Sequence, residues 1–214
     1  MENGELRMEN GEWRIKNEEL MKGFLMILSL LMTFAVQAQV KMSDVVRQMP
    51  DTLYPYLNEN MRLDMLDFID SGMTAEVTNN LGGKTVLNTL TPHFSSFQLN
   101  EASTMQMRLL DVSEPTDSIS QIICMIRTWG KDFKESQVSF YTTDWKALPA
   151  RQYFSAPAYP CTMTMDEHTP TLTITPVSTL DYPANEEQQT AISDEQQAAV
   201  DKLTTLKWNG EIFK

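Results

Sequence analysis

Six extended segments follow one another between residues 74 and 143, and only short turns separate them. Each is rich in valine, isoleucine, threonine or aromatic residues, which favour β-strands. A parallel crossover needs a dozen or more residues, so connections this short predict antiparallel neighbours. The run around Cys124 is apolar at odd and even positions, which indicates a central strand covered on both faces. The predicted strands are 74–78, 84–90, 93–99, 104–112, 118–129 and 137–143.

Two helices are predicted before these strands. Ser43 can cap a short helix that Pro50 ends, and Asn58 can cap a longer one over residues 59–71 that Gly72 closes. Apolar residues recur at helical spacing along the longer helix, so one face should pack on the sheet. They are Met61, Met65, Leu66, Phe68 and Ile69.

The last third of the chain is less regular. Residues 148–160, which we call the proline-rich segment, interrupt the strand pattern. Residues 161–166 and 171–177 alternate strictly and predict a further hairpin. Ser193 and Gln196 form a capping box for a C-terminal helix that carries Ala199, Leu203 and Leu206. The acidic stretch 181–195 is predicted to be a mobile linker.

Together these patterns predict an α+β fold. An antiparallel meandering β-sheet would carry the N-terminal helices and the C-terminal helix packed on it. Residues 39–214 number 176 by subtraction (214 − 38), which suits a single domain.

Residues 21–38 are predicted to be a secretory signal peptide. Lys22 precedes a 13-residue apolar core over residues 24–36, and cleavage is expected after Ala38. As a helix this core rises about 20 Å, less than the roughly 30 Å of a bilayer's hydrocarbon, which argues against a retained anchor. Residues 1–20 contain the run MENGELR, which is repeated as MENGEWR, and they carry a net charge of −3. A signal peptide normally starts with a positive charge, so we expect translation to begin at Met21. The predicted location is the periplasm or the cell exterior.

The predicted mature chain is acidic. Removing six acidic and four basic residues from 29 and 17 leaves 23 against 13, a net charge of −10. No cluster of lysine and arginine remains to grip a phosphate backbone or an anionic lipid surface. We therefore expect neither a nucleic-acid partner nor a retained membrane span.

Cys124 and Cys161 are the only cysteines. An oxidising compartment would permit a disulfide between them. Cys124 lies in an apolar run, however, and is more simply explained as a buried, unpaired side chain. The sequence leaves both alternatives open.

Three runs carry a family resemblance: RLDMLDF over residues 62–68, GMTAEVTN over 72–79 and SFYTTDW over 139–145. They resemble the domain-of-unknown-function family numbered 3256, secreted proteins of Bacteroidales. The resemblance covers residues 40 to 150 and implies a secreted bacterial protein. It implies no established activity and no functional residues.

Motifs for metal or cofactor chemistry are weak. Asp64, Asp67 and Asp70 share one predicted helix, where a solvated face explains them better than a cation site, because calcium takes its oxygens from a tight loop. Gly83-Lys84-Thr85 is similar to the end of a phosphate-binding loop, but Thr78 stands where that pattern needs a glycine, so we predict a hairpin turn. We predict no cofactor and no metal.

His93 and His168 are the only histidines, so a histidine-dependent hydrolase would need one of them. A zinc site from Cys161, His168 and the intervening Asp166 and Glu167 would require the hairpin turn to fold back. We expect His168 to be an exposed turn residue.

The candidate ligand-binding residues are aromatic. Rigid rings on a proline-stiffened loop can grip a ligand at low entropic cost, although they could instead fold back over an edge of the sheet. The candidates are Trp145, Tyr153, Phe154 and Tyr159, with His168. The sequence thus favours a non-catalytic binding or accessory protein for a glycan, peptide, lipid or envelope protein. The alternatives are an extracytoplasmic hydrolase using His168 or His93, and a structural envelope protein.

Overall fold

The computed structural model of the chain describes residues 39–116, 119–177 and 203–214. The predicted leader (1–20), signal peptide (21–38) and acidic linker (181–195) lie outside these ranges. The helices are α1 (Met42–Gln48) and α2 (Glu59–Asp70), and Ala150–Gln152 forms one 3-10 turn. The strands are β1 (Ala75–Thr78), β2 (Lys84–Leu90), β3 (Phe94–Asn100), β4 (Ser103–Asp111), β5 (Gln121–Trp129), β6 (Glu135–Thr142), β7 (Ala147–Leu148), β8 (Cys161–Met165), β9 (Thr171–Pro176) and β10 (Thr204–Lys207).

Both predicted N-terminal helices form. The Asn58 side chain accepts a hydrogen bond from the Met61 N–H at 3.1 Å and caps α2, while Gly72 follows the helix with a φ of 69°. The predicted cap of α1 is wrong. That helix begins at Met42, before Ser43, because the Met42 N–H finds a partner in the Pro92 carbonyl at 2.8 Å and needs no side-chain cap.

Strands β1 to β7 form one seven-stranded antiparallel sheet in sequence order. All six predicted strands of the meander are present. Strand β7, which is only two residues long and pairs with Phe140 and Tyr141 of β6, is not predicted from the sequence. So short a strand carries no periodicity to detect.

Both faces of the sheet are covered, as the sequence of β5 predicts. Ile123 and Met125 belong to a helix-side core that also contains the buried residues of α1 and α2. Ile122, Cys124 and Ile126 belong to a second core, against the strands β8 and β9. The described chain therefore forms three layers: helices, a seven-stranded sheet and a three-stranded sheet.

The hairpin of β8 and β9 is confirmed, but it forms a separate sheet, with β10 on its outer side in the order β10-β9-β8. The predicted C-terminal helix is wrong at Leu203 and Leu206, since residues 204–207 pair with β9 as a strand. Its earlier part, from Ser193, lies outside the described residues. Strand pairing satisfies the backbone and places Leu206 against the second core, which outweighs a helical spacing of leucines.

None of the helices in the described ranges has the length and apolarity needed to cross a bilayer.

Candidate functional site

The proline-rich segment runs from the end of β7 to the start of β8 and is anchored through Tyr153. The Phe213 N–H donates to the Tyr153 carbonyl at 2.9 Å. The Tyr153 ring lies 5.0 Å from the Phe140 ring and 6.2 Å from the Trp208 ring, measured between centroids. These contacts fix the first half of the segment on the second core.

A cleft of about 460 Å³ opens between β6, the proline-rich segment and β8. We call it the β6 cleft. Its volume falls within the range typical of small-ligand sites. The lining residues are Glu135, Ser136, Gln137, Val138, Ala150, Arg151, Phe154, Ser155, Ala156, Pro157, Tyr159, Cys161 and Met163.

The cleft has an apolar floor and a polar rim. Val138, Phe154 and Met163 are buried members of the second core, and Tyr159 is half-buried against it. The rim side chains are exposed and carry both signs of charge; they include Glu135, Gln137, Arg151 and Ser155. This combination suits a ligand with an apolar part to bury and polar groups to satisfy.

Polar side chains of the large sheet hold β8 in place as one wall of the cleft. The Ser136 hydroxyl lies 2.6 Å from the Thr128 hydroxyl and accepts the Met163 N–H at 2.8 Å. Gln106 accepts the Met165 N–H at 2.9 Å through its side-chain oxygen. These bonds satisfy amides on the edge of β8 that faces away from β9.

Arg108 ties the β8–β9 turn to the same face of the large sheet. It is 5% exposed, and its guanidinium donates to the carbonyls of Asp166 (2.9 Å), Glu167 (3.0 Å) and His168 (3.1 Å). Burial lowers the pKa of Arg108, and the carboxylates of Asp166 and Asp111 oppose that shift. The side chain remains a cation at neutral pH and acts as a clamp.

The turn is stabilised from within by Asp166. Its carboxylate accepts from the Thr169 hydroxyl at 2.8 Å, the Thr169 N–H and the His168 N–H. These hydrogen bonds lower the pKa of the exposed Asp166 carboxyl.

Both cysteines are buried and unpaired in the structure. Cys161 lines the β6 cleft, where burial and, less strongly, the Glu135 carboxylate raise the pKa of its thiol. Burial also raises the pKa of the Cys124 thiol. Both side chains are therefore thiols at neutral pH, a form that is a poor nucleophile and a poor metal ligand.

The structure brings two of the five predicted ligand-binding residues into the cleft. Phe154 and Tyr159 line it, and Tyr153 packs behind it. Trp145 lies on the opposite face of the sheet, in the helix-side core, with a φ of 63° and its indole N–H donating to the Val45 carbonyl at 3.1 Å. His168 is exposed in the β8–β9 turn, as expected, and does not line the cleft.

The remaining sequence candidates do not converge. Asp64, Asp67 and Asp70 are exposed on α2, as a solvated face requires. Over the described ranges, no three His, Cys, Asp or Glu side chains are grouped so as to hold a metal ion. His93 lies half-buried between β2 and β3, outside the cleft. Residues 79–83 form the turn between β1 and β2, as predicted.

The layers and the cleft define a three-layer α+β domain with a groove along one edge of its larger sheet. The chain belongs to the family described as protein of unknown function (DUF3256), whose model matches residues 33–174. The predicted family resemblance is thus confirmed. The fold is also similar to that of a solved domain of an uncharacterized protein from Porphyromonas gingivalis W83. The TM-score is 0.60 and the identity 21%, with 79% of this chain and 96% of that chain covered. No curated protein matches the chain.

Proposed function

We propose that this protein is a non-catalytic extracytoplasmic binding or accessory protein whose ligand occupies the β6 cleft. The extracytoplasmic location rests on the predicted signal peptide. The observation that carries the proposal is that Phe154 and Tyr159 line the same cleft, which has an apolar floor and an exposed, charged rim. Rings on a segment anchored at Tyr153 are preorganised, so a ligand loses little entropy in ordering them.

The chemistry of the lining favours binding over catalysis. No histidine is among the residues that line the cleft, and the nucleophilic side chain that faces it, Cys161, is held as a thiol. Of the two serines that line it, Ser136 has its hydroxyl hydrogen-bonded to the Thr128 hydroxyl and to the Met163 N–H, where it holds β8 in place. What the cleft offers is apolar surface, hydrogen-bonding groups and rim charges.

A binding assay on two matched variants tests this proposal. The purified protein is presented with immobilised short peptides, with bacterial-envelope oligosaccharides and with vesicles of phosphatidylethanolamine and phosphatidylglycerol. We expect one class to bind, and Tyr159→Ala to weaken that binding by about tenfold or more because it removes a ring from the cleft wall.

Tyr56→Ala is the control, since Tyr56 is a tyrosine 38% exposed and packed on Tyr54 in the helical layer. It should bind as the unaltered protein does. Equal losses for the two variants, or no binding by any of the three classes, would refute the proposal.

A further inference from the structure

One edge of the large sheet is open beside the cleft. Strand β6 spans Glu135–Thr142, but β7 pairs with only Phe140 and Tyr141. Within the described ranges, residues 135–139 therefore have β5 on one side and no strand on the other. An unpaired strand edge presents a row of backbone donors and acceptors.

The ladder fixes which backbone groups face that open side. The Thr142 N–H donates to the Lys146 carbonyl at 2.9 Å, on the β7 side of β6. Backbone groups alternate in direction along a strand, so the N–H and C=O of Val138 and Ser136 point to the same side as those of Thr142. Two donors and two acceptors, spaced two residues apart, thus face away from β5.

These groups open into the β6 cleft. Four consecutive residues, Glu135 to Val138, all line it. Successive side chains point to opposite faces of a sheet, so one cleft can contact all four only if it runs along the backbone edge of the strand. The opposite wall is the proline-rich segment, with Phe154 and Tyr159.

The aromatic wall favours a peptide over a sugar. Phe154 is 5% exposed, so it does not offer the open ring face on which a sugar would stack, and Tyr159 is half-buried. Phe154, Tyr159 and Met163 form an apolar recess. This recess lies on the same face of the large sheet as the Val138 side chain. A strand added at this edge would direct alternate side chains into that recess.

Building on the proposed function, we infer that the ligand of the β6 cleft is an extended peptide that adds to the sheet as a strand beside residues 135–138 of β6. Its backbone pairs with the outward-facing N–H and C=O groups of Ser136 and Val138. Two apolar side chains, two residues apart in the peptide, enter the recess formed by Phe154, Tyr159 and Met163.

The probe is a library of random short peptides panned against the full chain. The tightest binder is resynthesised with single N-methyl groups at successive positions, because N-methylation removes one backbone donor and leaves the side chain unchanged. We expect methylation at every second position to weaken binding by about tenfold or more, and at the intervening positions by less than about twofold. In the complex, hydrogen exchange of the Ser136 and Val138 amides should slow.

Two proline variants give a matched comparison. Val138→Pro removes an outward-facing donor at the cleft. Thr78→Pro removes an outward-facing donor on β1, which forms the opposite edge of the same sheet. The next residue, Asn79, donates its N–H toward β2, to the Gly83 carbonyl at 2.8 Å. Because backbone groups alternate in direction along a strand, the Thr78 N–H points away from β2. Val138→Pro should abolish peptide binding and Thr78→Pro should retain it. The methylation scan and the exchange data need neither variant to fold.

The outcomes separate this inference from the proposed function. A peptide bound in the cleft without the alternating methylation pattern, or without protection of Ser136 and Val138, overturns the inference while the proposed function stands. An oligosaccharide or lipid as the cleft ligand does the same. A second copy of the chain paired at this edge, in place of any ligand, overturns both. If nothing binds in the cleft, both fail.

Discussion

Replacing Arg62 with methionine should strongly destabilise the helical layer. Arg62 is 2% exposed, and its guanidinium donates to the carbonyls of Val46 (3.1 Å) and Leu57 (2.7 Å) and to that of Met49. It also contacts the Asp51 carboxylate at 2.7 Å. Through these bonds one α2 side chain satisfies carbonyls at the end of α1 and in the loop between the helices.

The expected loss follows from these partners. Three charge-assisted bonds to carbonyls, at about 1.5 kcal/mol each, give about 4.5 kcal/mol, and the desolvation cost that disappears with the guanidinium reduces the expected loss to about 4 kcal/mol. The Asp51 carboxylate is 55% exposed, so its ion pair adds less than about 1 kcal/mol. For a chain of this size, a loss of about 4 kcal/mol lowers the melting temperature by about 10 °C.

Urea unfolding followed by circular dichroism measures both variants. Arg62→Met should lose about 4 kcal/mol of unfolding free energy. Asp51→Asn, which removes only the exposed partner's charge, should lose less than about 1 kcal/mol. A loss of less than about 1 kcal/mol for Arg62→Met, or equal losses for the two variants, would show that the buried guanidinium does not stabilise the helical layer in this way.

Three further predictions concern the second core and the β8–β9 turn beside it. Arg108→Met should lower the unfolding free energy by about 2 kcal/mol, which is less than the loss for Arg62→Met because water can reach the carbonyls of the β8–β9 turn. Native-state hydrogen exchange should become faster in β8 and β9 but not in α2. Asp166→Ala should lower the melting temperature at pH 7. Because the pKa of Asp166 in the folded protein lies below the ordinary value of 3.8, the difference in melting temperature between variant and unaltered protein should disappear as the pH falls through that folded-state pKa. A difference that persisted in acid would contradict this prediction. Cys124 and Cys161 should react slowly with a thiol reagent in the native protein, and both should titrate after denaturation without reductant; no titratable thiol would instead indicate a disulfide.

Local patterns predicted most of the large sheet because its contacts are local in sequence. Each strand from β1 to β6 pairs with its neighbour along the chain, so alternation and turn composition determined the order. The same approach failed for β10. Its pairing with β9 spans the stretch 178–202, and a pairing between distant segments leaves no periodic signal in either.

The cleft was half predictable. Aromatic and proline composition pointed to Phe154 and Tyr159. The opposite wall of the cleft is the edge of β6, and that edge is open only because β7 is shorter than β6 and ends before it reaches Val138. Composition does not record this difference in strand length. Arg108 did have a signal in the sequence, because it is the single charge within the mostly apolar, buried run from Met105 to Leu110, where a charge requires dedicated partners. Arg62 had no such signal, since the acidic residues Glu59 and Asp64 lie close to it on the same helix.

The same composition misplaced Trp145. An aromatic residue near a proline-rich stretch fits a binding loop as well as a core position. The tight turn after β6, with Trp145 at positive φ, directs its ring back to the helix-side core.

Amide chemical-shift mapping of the isotopically labelled protein shows whether the β6 cleft is the ligand site. With whichever of the peptide, oligosaccharide or vesicle probes binds, we expect shift changes concentrated at residues 135–138 and 154–159, and little change around Tyr56 or Trp145. Changes centred in the helical layer, or none in the cleft at saturating probe, would contradict this expectation.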